Sequence, residues 1–284
     1  MKLLDGKKIA DERYDLIRAQ IIDLERPPSL AVVLVGDDYA SHLYVKLKEK
    51  AAKKAGIDFH KYFLDKEVPK SEVIETIKFL ANDDDIDGIL IQLPLPEKFN
   101  TEQVINAMGP EKDVDGFHPD NVSAFLQGED VIYPVFPRAL ITLAQESEKD
   151  LKGLTAVIVG NSDIFTKAMI AACTREGMII HKVPSDQVQQ MKKTVQSAKV
   201  VYTACGLPGI ISGEYIQKGA IVIDGGVAEV DGKVVGDVEM KSVAKKADFL
   251  SPVPGGVGPV TIACLLENVV TLANKKPLGS SASK

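Results

Sequence analysis

The sequence predicts an α/β fold in two domains, and three observations carry that reading. The 284 residues are about twice the ~150 residues of an ordinary domain. Short apolar, β-branched runs alternate with longer stretches of helical periodicity, the pattern of βα layering. The alternation comes in two series, one closing at Leu93-Pro94-Leu95-Pro96 and a second opening at Pro137.

In the first series, Asp5 to Leu24 reads as an amphipathic helix that Arg26-Pro27-Pro28 ends. Leu30 to Val35, closed by Gly36, is a buried strand. Ser41 is the expected cap of a helix running through Lys48 to Ala55, with Gly56 as its stop. Phe59 to Leu64 is a strand, Ser71 to Leu80 a helix, and Ile86 to Gln92 a third strand that the two following prolines halt.

The second series starts with helical periodicity over Pro137 to Gln145. Ala156 to Val159 is a strand that ends in Gly160-Asn161-Ser162 and feeds a helix over Asp163 to Glu176. Ile179 to Val183, Val200 to Thr203 and Ala220 to Ile223 are further strands. Asp231-Gly232 within Val227 to Val238 marks a hairpin. Phe249-Leu250-Ser251 leads into Pro252 to Pro259, and a last apolar helix covers Val260 to Ala273. The small, polar tail Gly279 to Lys284 is expected to be disordered.

Composition excludes several classes. Hydrophobic residues at 45% and charged residues at 26% suit a packed globular core. A net charge of −6 argues against a general nucleic-acid binder. No apolar run reaches the ~18 residues of a membrane span, and the charged start does not read as a signal peptide. Cys173, Cys205 and Cys264 have no metal spacing, and an odd, sparse set suits buried thiols in a reducing, cytoplasmic setting. His42, His60, His118 and His181 form no metal site either.

Five constellations have chemical content. Tyr44 and Lys48 share one face of a predicted helix. A lysine carries protons once burial or a neighbour lowers its pKa from about 10.4. The plain alternative is a solvated helix, since Lys46, Lys50, Lys53 and Lys54 are close by. Gln92 stands at the carboxyl end of a buried strand, where open α/β sheets bind ligands, though a polar residue also simply terminates a strand. Lys112-Asp113-Val114-Asp115-Gly116 offers two carboxylates, either to an amino-bearing ligand or to an Asx turn. Gly160-Asn161-Ser162 enters a helix as a dinucleotide turn does, but Ser162 and Phe165 occupy the later glycine positions of that pattern. Pro254-Gly255-Gly256-Val257-Gly258-Pro259 combines bare main chain with a rigid frame and favours a binding loop.

Taken in order, these strings resemble the bifunctional methylenetetrahydrofolate dehydrogenase/methenyltetrahydrofolate cyclohydrolase family. The matching residues are Val35-Gly36, Ala40-Ser41, Tyr44-Val45 and Lys48, then Gly88 to Pro96 and Pro110 to Gly116. Gly219 to Asp224, Val234 to Val238 and Pro252 to Pro259 follow, so the resemblance covers nearly the whole chain. It implies an α/β catalytic domain over residues 1–136, joined by the helix 260–278, and a Rossmann-like NAD(P)-binding domain over 137–259. It also implies tetrahydrofolate derivatives as substrates, NADP as hydride acceptor with NAD as the alternative, no metal, and a homodimer.

By the same resemblance, Lys48 is the central catalytic residue and Gln92 its hydrogen-bonding partner. Tyr44 stacks on the folate and Asp115 binds its amino-pyrimidine. Ile91, Leu93 and Pro254, Gly255, Gly256, Val257 and Gly258 supply walls and main-chain contacts. Gly160, Asn161, Ser162, Ser185 and Val227 meet the dinucleotide.

The departures cluster in the second half. Where the family commonly reads Gly-Arg-Ser-x-x-Val-Gly-x-Pro, this chain has Gly160-Asn161-Ser162-Asp163-Ile164-Phe165-Thr166-Lys167-Ala168. The arginine suited to a 2′-phosphate is missing, and Asp163 adds a negative charge at the helix start. Pro134-Val135-Phe136-Pro137 replaces Pro-Cys-Thr-Pro, and Val183-Pro184-Ser185 replaces Cys-His-Ser. A cyclohydrolase with weakened or altered cofactor use is therefore the alternative function. A non-catalytic folate-binding relative is a further one.

Overall fold

The structure is a computed structural model that describes residues 1–275. The expectations for the Gly279–Lys284 tail, and for the last residues of the final helix, lie outside the described residues. In chain order the elements that position the site are β1 (Lys2–Leu3), α1 (Gly6–Ile21), β2 (Ser29–Val35), α2 (Tyr39–Ala55), β3 (Asp58–Leu64), α3 (Lys70–Ala81), β4 (Gly88–Ile91), α4 (Thr101–Asn106) and α5 (Pro119–Leu126). There follow α6 (Val135–Gln145), β5 (Thr155–Gly160), α7 (Asp163–Arg175), β6 (Ile179–Val183), α8 (Lys192–Ser197), β7 (Val200–Ala204) and β8 (Ile221–Asp224). The chain ends through β9 (Ala228–Val230), β10 (Lys233–Val235), α9 (Met240–Val243), β11 (Phe249–Leu250) and α10 (Val257–Lys275).

The chain divides into two compact units: Glu12–Val135 with the chain from Ile262 on, and Met1–Asp11 with Phe136–Thr261. The first eleven residues therefore group with the second series, not with the first as the sequence reading had it. The reason is β1, whose Leu3 pairs with Leu250 of β11. Leu4 N–H also donates to the Leu250 carbonyl at 2.9 Å. A two-residue strand lies below what periodicity detects.

The first unit is built on a three-stranded parallel sheet ordered β3-β2-β4. Its central strand β2 is buried along its whole length, which is why Leu30 to Val35 reads as an unbroken apolar run. Val33, Ile77, Leu80, Ile89 and Ile91 lie in one core cluster beneath it. The α2 cap is Asp38, whose side chain accepts from Ser41 N–H at 2.7 Å. Ser41 is thus the donor at that cap, and is itself buried. Gly56 ends α2 at φ 79°, as its sequence position suggested.

Strand β4 lies hard against the segment after α4, with a parallel bridge from Ile89 to Asp113. A Cβ on Gly88 would stand 2.3 Å from Val114 Cγ1. Gly88→Ala is accordingly expected to destabilise the protein by about 1–3 kcal/mol through overpacking, read as a lower urea midpoint with an unchanged slope. Helix α10 closes this region: Asn268 Nδ2 donates to the Val114 carbonyl at 2.9 Å and to the Tyr133 carbonyl at 3.0 Å. By length and composition α10 meets the test for a membrane span, which the sequence reading had not found. With 56% of that apolar window buried inside the protein, it is a core helix.

The second unit holds a six-stranded parallel sheet ordered β1-β11-β8-β7-β5-β6. After β5 the chain goes to β6 on one side, then returns to β7 on the other, which makes the carboxyl end of β5 a topological switch point. The β9-β10 hairpin turns at Asp231 (φ 51°) and Gly232 (φ 72°), the doubly left-handed turn that an Asp-Gly pair favours.

Candidate active site

In the first unit, the Val33–Ile91 pairing is the last of the β2–β4 ladder, and Gln92 follows one residue beyond. Gln92 N–H still donates to the Val33 carbonyl at 2.9 Å, so the strand end is fixed. Its side chain is buried and locked at both ends: Nε2 donates to the Leu93 carbonyl at 2.7 Å, and Oε1 accepts from Lys48 Nζ at 2.8 Å. The amide orientation follows from those two partners. Tyr44 lies one turn before Lys48 on α2 and is 43% exposed. Helical periodicity places both on roughly the opposite face from Tyr39, His42, Leu43 and Lys46, which line a separate groove with Phe63.

The two carboxylates of the Lys112–Gly116 string have different duties. Asp113 is the turn residue: it accepts from Gly116 N–H at 3.0 Å, His118 N–H at 2.8 Å and Asn121 Nδ2 at 3.0 Å. Lys112 is structural too, donating from within the core to the Leu80 carbonyl at 3.1 Å. Asp115 takes no part in the turn and lines a recess with Ile91, Met108 and Phe117. The turn reading of the string therefore holds for Asp113.

Burial lowers the Lys48 pKa below its ordinary value, while the charge of Asp115 works in the opposite sense. Burial pushes the Asp115 carboxyl up to about 6, opposed by Lys48 and reinforced by Asp113. The site thus holds an acid and a base whose pKa values are drawn toward neutrality. A lysine shifted in this direction gives up its proton more readily than a solvated lysine does.

In the second unit, Ser162 caps α7 and accepts from Phe165 N–H at 3.3 Å. Phe165 packs against Phe136 at 5.5 Å between ring centroids, and a Cβ on Gly160 would stand 3.2 Å from its ring. Asn161 reaches Ser185 in two ways, accepting from Ser185 N–H at 3.0 Å and donating to Ser185 Oγ at 2.5 Å. The turn after β5 and the turn after β6 are therefore clamped together. Val227 is 56% exposed, ahead of β9.

The proline-glycine loop belongs to this second unit. A Cβ on Gly6 would meet the Gly256 carbonyl at 1.8 Å, and one on Gly256 would meet the Pro252 carbonyl at 2.5 Å. Gly255 has φ 99°. Three of these glycines thus have packing or backbone reasons. Gly258 has none, since a Cβ there would have nothing within 4 Å, and a glycine costs a helix about 1 kcal/mol relative to alanine. Helix α10 begins at Val257, three residues before its expected start.

Sequence reasoning missed a buried network at the carboxyl ends of β7 and β8. Asp237 accepts from Thr203 Oγ1 at 2.6 Å, Cys205 N–H at 2.6 Å and Leu207 N–H at 2.7 Å. Asp224 accepts from Gly226, Asp237 and Val238 N–H at 3.0–3.1 Å, and burial pushes its carboxyl up to about 6. The only sequence signal was an aspartate ending an apolar run, and it has no periodicity. Burial likewise raises the thiols of Cys173 and Cys205, to about 12 and about 11. Among the described residues no three His, Cys, Asp or Glu side chains form a metal site.

The fold suits a nicotinamide dinucleotide. The strand order reverses at β5, that strand ends in Gly160, and α7 starts directly after it with Ser162 as its cap. Comparison with known proteins agrees over both units. The tetrahydrofolate dehydrogenase/cyclohydrolase catalytic domain matches residues 4–115, and the NAD(P)-binding domain of the same family matches 134–277. The bifunctional protein FolD of Geotalea daltonii is 42% identical over 279 residues, spanning 97% of this chain and 99% of that one. The crystal structure of the bifunctional FolD dehydrogenase/cyclohydrolase from Campylobacter jejuni superposes with a TM-score of 0.92 at 35% identity, covering 96% of this chain and 99% of that one. The Trypanosoma brucei FolD structure, complexed with NADP cofactor and inhibitor, gives 0.91 at 29%, covering 96% and 97%. With both domain models matched in order and the lysine–glutamine–aspartate set in place, the chain belongs to the tetrahydrofolate dehydrogenase/cyclohydrolase family.

Proposed function

We propose that this chain oxidises 5,10-methylenetetrahydrofolate to the 5,10-methenyl form and hydrolyses that product to 10-formyltetrahydrofolate. The observation that carries the reading is the 2.8 Å Lys48–Gln92 hydrogen bond, set where burial lowers the lysine pKa. In the hydrolytic step water attacks the electrophilic methenyl carbon, which stands between two nitrogens. Lys48 takes one proton of that water, and the C–N5 bond then breaks with its electron pair and the remaining hydroxyl proton going to N5 while the C–O bond becomes the formyl carbonyl on N10. Gln92 holds the Lys48 Nζ in place through its own anchor on Leu93. Asp115 as carboxylate accepts from the amino-pyrimidine N–H groups of the folate, and Tyr44 lies against the ring system. For the oxidative step a bound nicotinamide dinucleotide supplies the hydride acceptor. Ser162 and the open face of Gly258 are the residues of this chain suited to hold substrate or cofactor contacts, whereas Gly160 is buried against the Phe165 ring. The homodimer and the cytoplasmic setting belong to the same reading and rest on the family resemblance.

Folate capture needs Asp115 ionised, and its carboxyl titrates at about 6 in the free protein. The hydrolytic kcat/KM is therefore expected to fall as pH drops through 6, about tenfold per unit well below it, because kcat/KM reports the free enzyme. In Asp115→Asn the value at neutral pH should be low and this acid limb absent. The function itself is tested by supplying methylenetetrahydrofolate with NAD or NADP and identifying the products. Methenyl- and then 10-formyltetrahydrofolate support it, and reduced nucleotide without a folate product contradicts it.

A further inference from the structure

The adenosine end of the second unit's crevice points to a choice between the two nicotinamide dinucleotides. In sheets of this kind the ribose of the adenosine half lies between the first βα turn and the end of the next strand. An acidic residue there bonds the free 2′-hydroxyl, whereas an arginine receives a 2′-phosphate. In this chain those two places are the Gly160–Ser162 turn and the Ser185–Gln187 turn after β6. Four charged side chains belong to them. Asp163 opens α7 and pairs with Lys182 of β6 at 3.0 Å. Its carboxyl is held below the ordinary range first by that hydrogen bond, then by the charges of Lys182 and Lys167. Asp186 stands exposed in the turn after β6.

Two lysines against two aspartates leave no net positive charge. A 2′-phosphate brings nearly two negative charges to that place. The Lys182–Asp163 pair is exposed and individually weak, so the pairing alone does not bar a phosphate. The absence of surplus charge does. Asn161, where the resemblance expects an arginine, is neutral and spends both ends of its amide on Ser185. It therefore lacks the charge that would answer a phosphate, and Ser185 holds its amide in one orientation.

We propose that this protein binds NAD in preference to NADP, with Asp163, Asp186 and the Asn161–Ser185 clamp as the specificity-determining groups. The proposal rests on the reading of the second unit as a dinucleotide module, and it concerns only which dinucleotide that module selects. It is tested by calorimetric titration of the whole protein, without folate, with NAD and NADP, and with the fragments 5′-AMP and 2′,5′-ADP. NAD is expected to bind at least tenfold more tightly than NADP, and 5′-AMP more tightly than 2′,5′-ADP. Asp163→Ser removes one carboxylate and releases Lys182, so the ratio of NAD to NADP affinity is expected to fall about tenfold. NADP binding as tightly as NAD, or more tightly, would overturn the preference and leave the dinucleotide module intact. If neither nucleotide binds while hydrolysis proceeds, the module reading falls and this proposal falls with it.

Discussion

Replacing Lys48 with methionine is expected to lower kcat for methenyltetrahydrofolate hydrolysis by about 10²–10⁴-fold, the usual worth of a positioned proton carrier. Methionine keeps most of the stem and removes only the amine, so substrate affinity is expected to stay within about threefold. Stability is expected to fall by no more than about 1–3 kcal/mol, since a buried charge is gone but Gln92 Oε1 loses its donor. These three readouts together separate a catalytic lysine from a structural one. A merely structural residue would lower the thermal midpoint and leave kcat per folded molecule unchanged. Gln92→Ala should give a smaller loss in kcat, since it frees Lys48 Nζ from its 2.8 Å anchor without removing the amine.

Truncating Asp237 to alanine is expected to produce the largest loss of stability. The side chain is wholly buried and accepts from Thr203 Oγ1, Cys205 N–H and Leu207 N–H. Its removal strands three donors, each costing about 1–3 kcal/mol when left unpaired. Partial relaxation brings the expected total to about 3–5 kcal/mol, a large part of the 5–15 kcal/mol of an ordinary domain. Thr203→Val removes one donor of the three, and about 1 kcal/mol is expected there. Urea unfolding of the two variants measures both. Near-equal losses would show that the hydroxyl, not the loop backbone, depends on Asp237.

The strands that carry the sites were legible because each is a fully buried parallel strand. Ser29–Val35, Gly88–Ile91, Thr155–Gly160 and Ile221–Asp224 each read as a short apolar run. The elements that were missed are short ones, namely β1, β11, α4, α5 and α9. Without β1 the sequence does not show that the first eleven residues group with the second series through the β1–β11 pairing and the packing of Gly6 on Gly256. The α2 cap fell on Asp38 instead of Ser41 because both are good cap types three residues apart. Only the backbone shows which one has the free side chain.

The site was legible to a different degree. Tyr44 and Lys48 share a helix face by spacing alone, but nothing in the spacing brings Gln92 within 2.8 Å across the chain. That contact depends on the β2–β4 register, which is a long-range property. The split between Asp113 and Asp115 was equally hidden. Both line the recess, but the Asp113 carboxylate is taken up by the turn's N–H groups and Asn121, and the Asp115 carboxylate is not part of that turn. The glycines of the Pro252–Pro259 loop read as a binding loop, yet Gly6 and Gly256 are there because α1 begins directly on that loop.

The most direct test of the central claim is the loss of methenyltetrahydrofolate absorbance with this protein at neutral pH, with no nucleotide present. The account predicts decay proportional to enzyme concentration, 10-formyltetrahydrofolate as product, and return to the buffer rate in Lys48→Met. Decay of the wild-type reaction no faster than buffer, with folate bound, would contradict it. The Lys48–Gln92–Asp115 set would then be a binding site and nothing more.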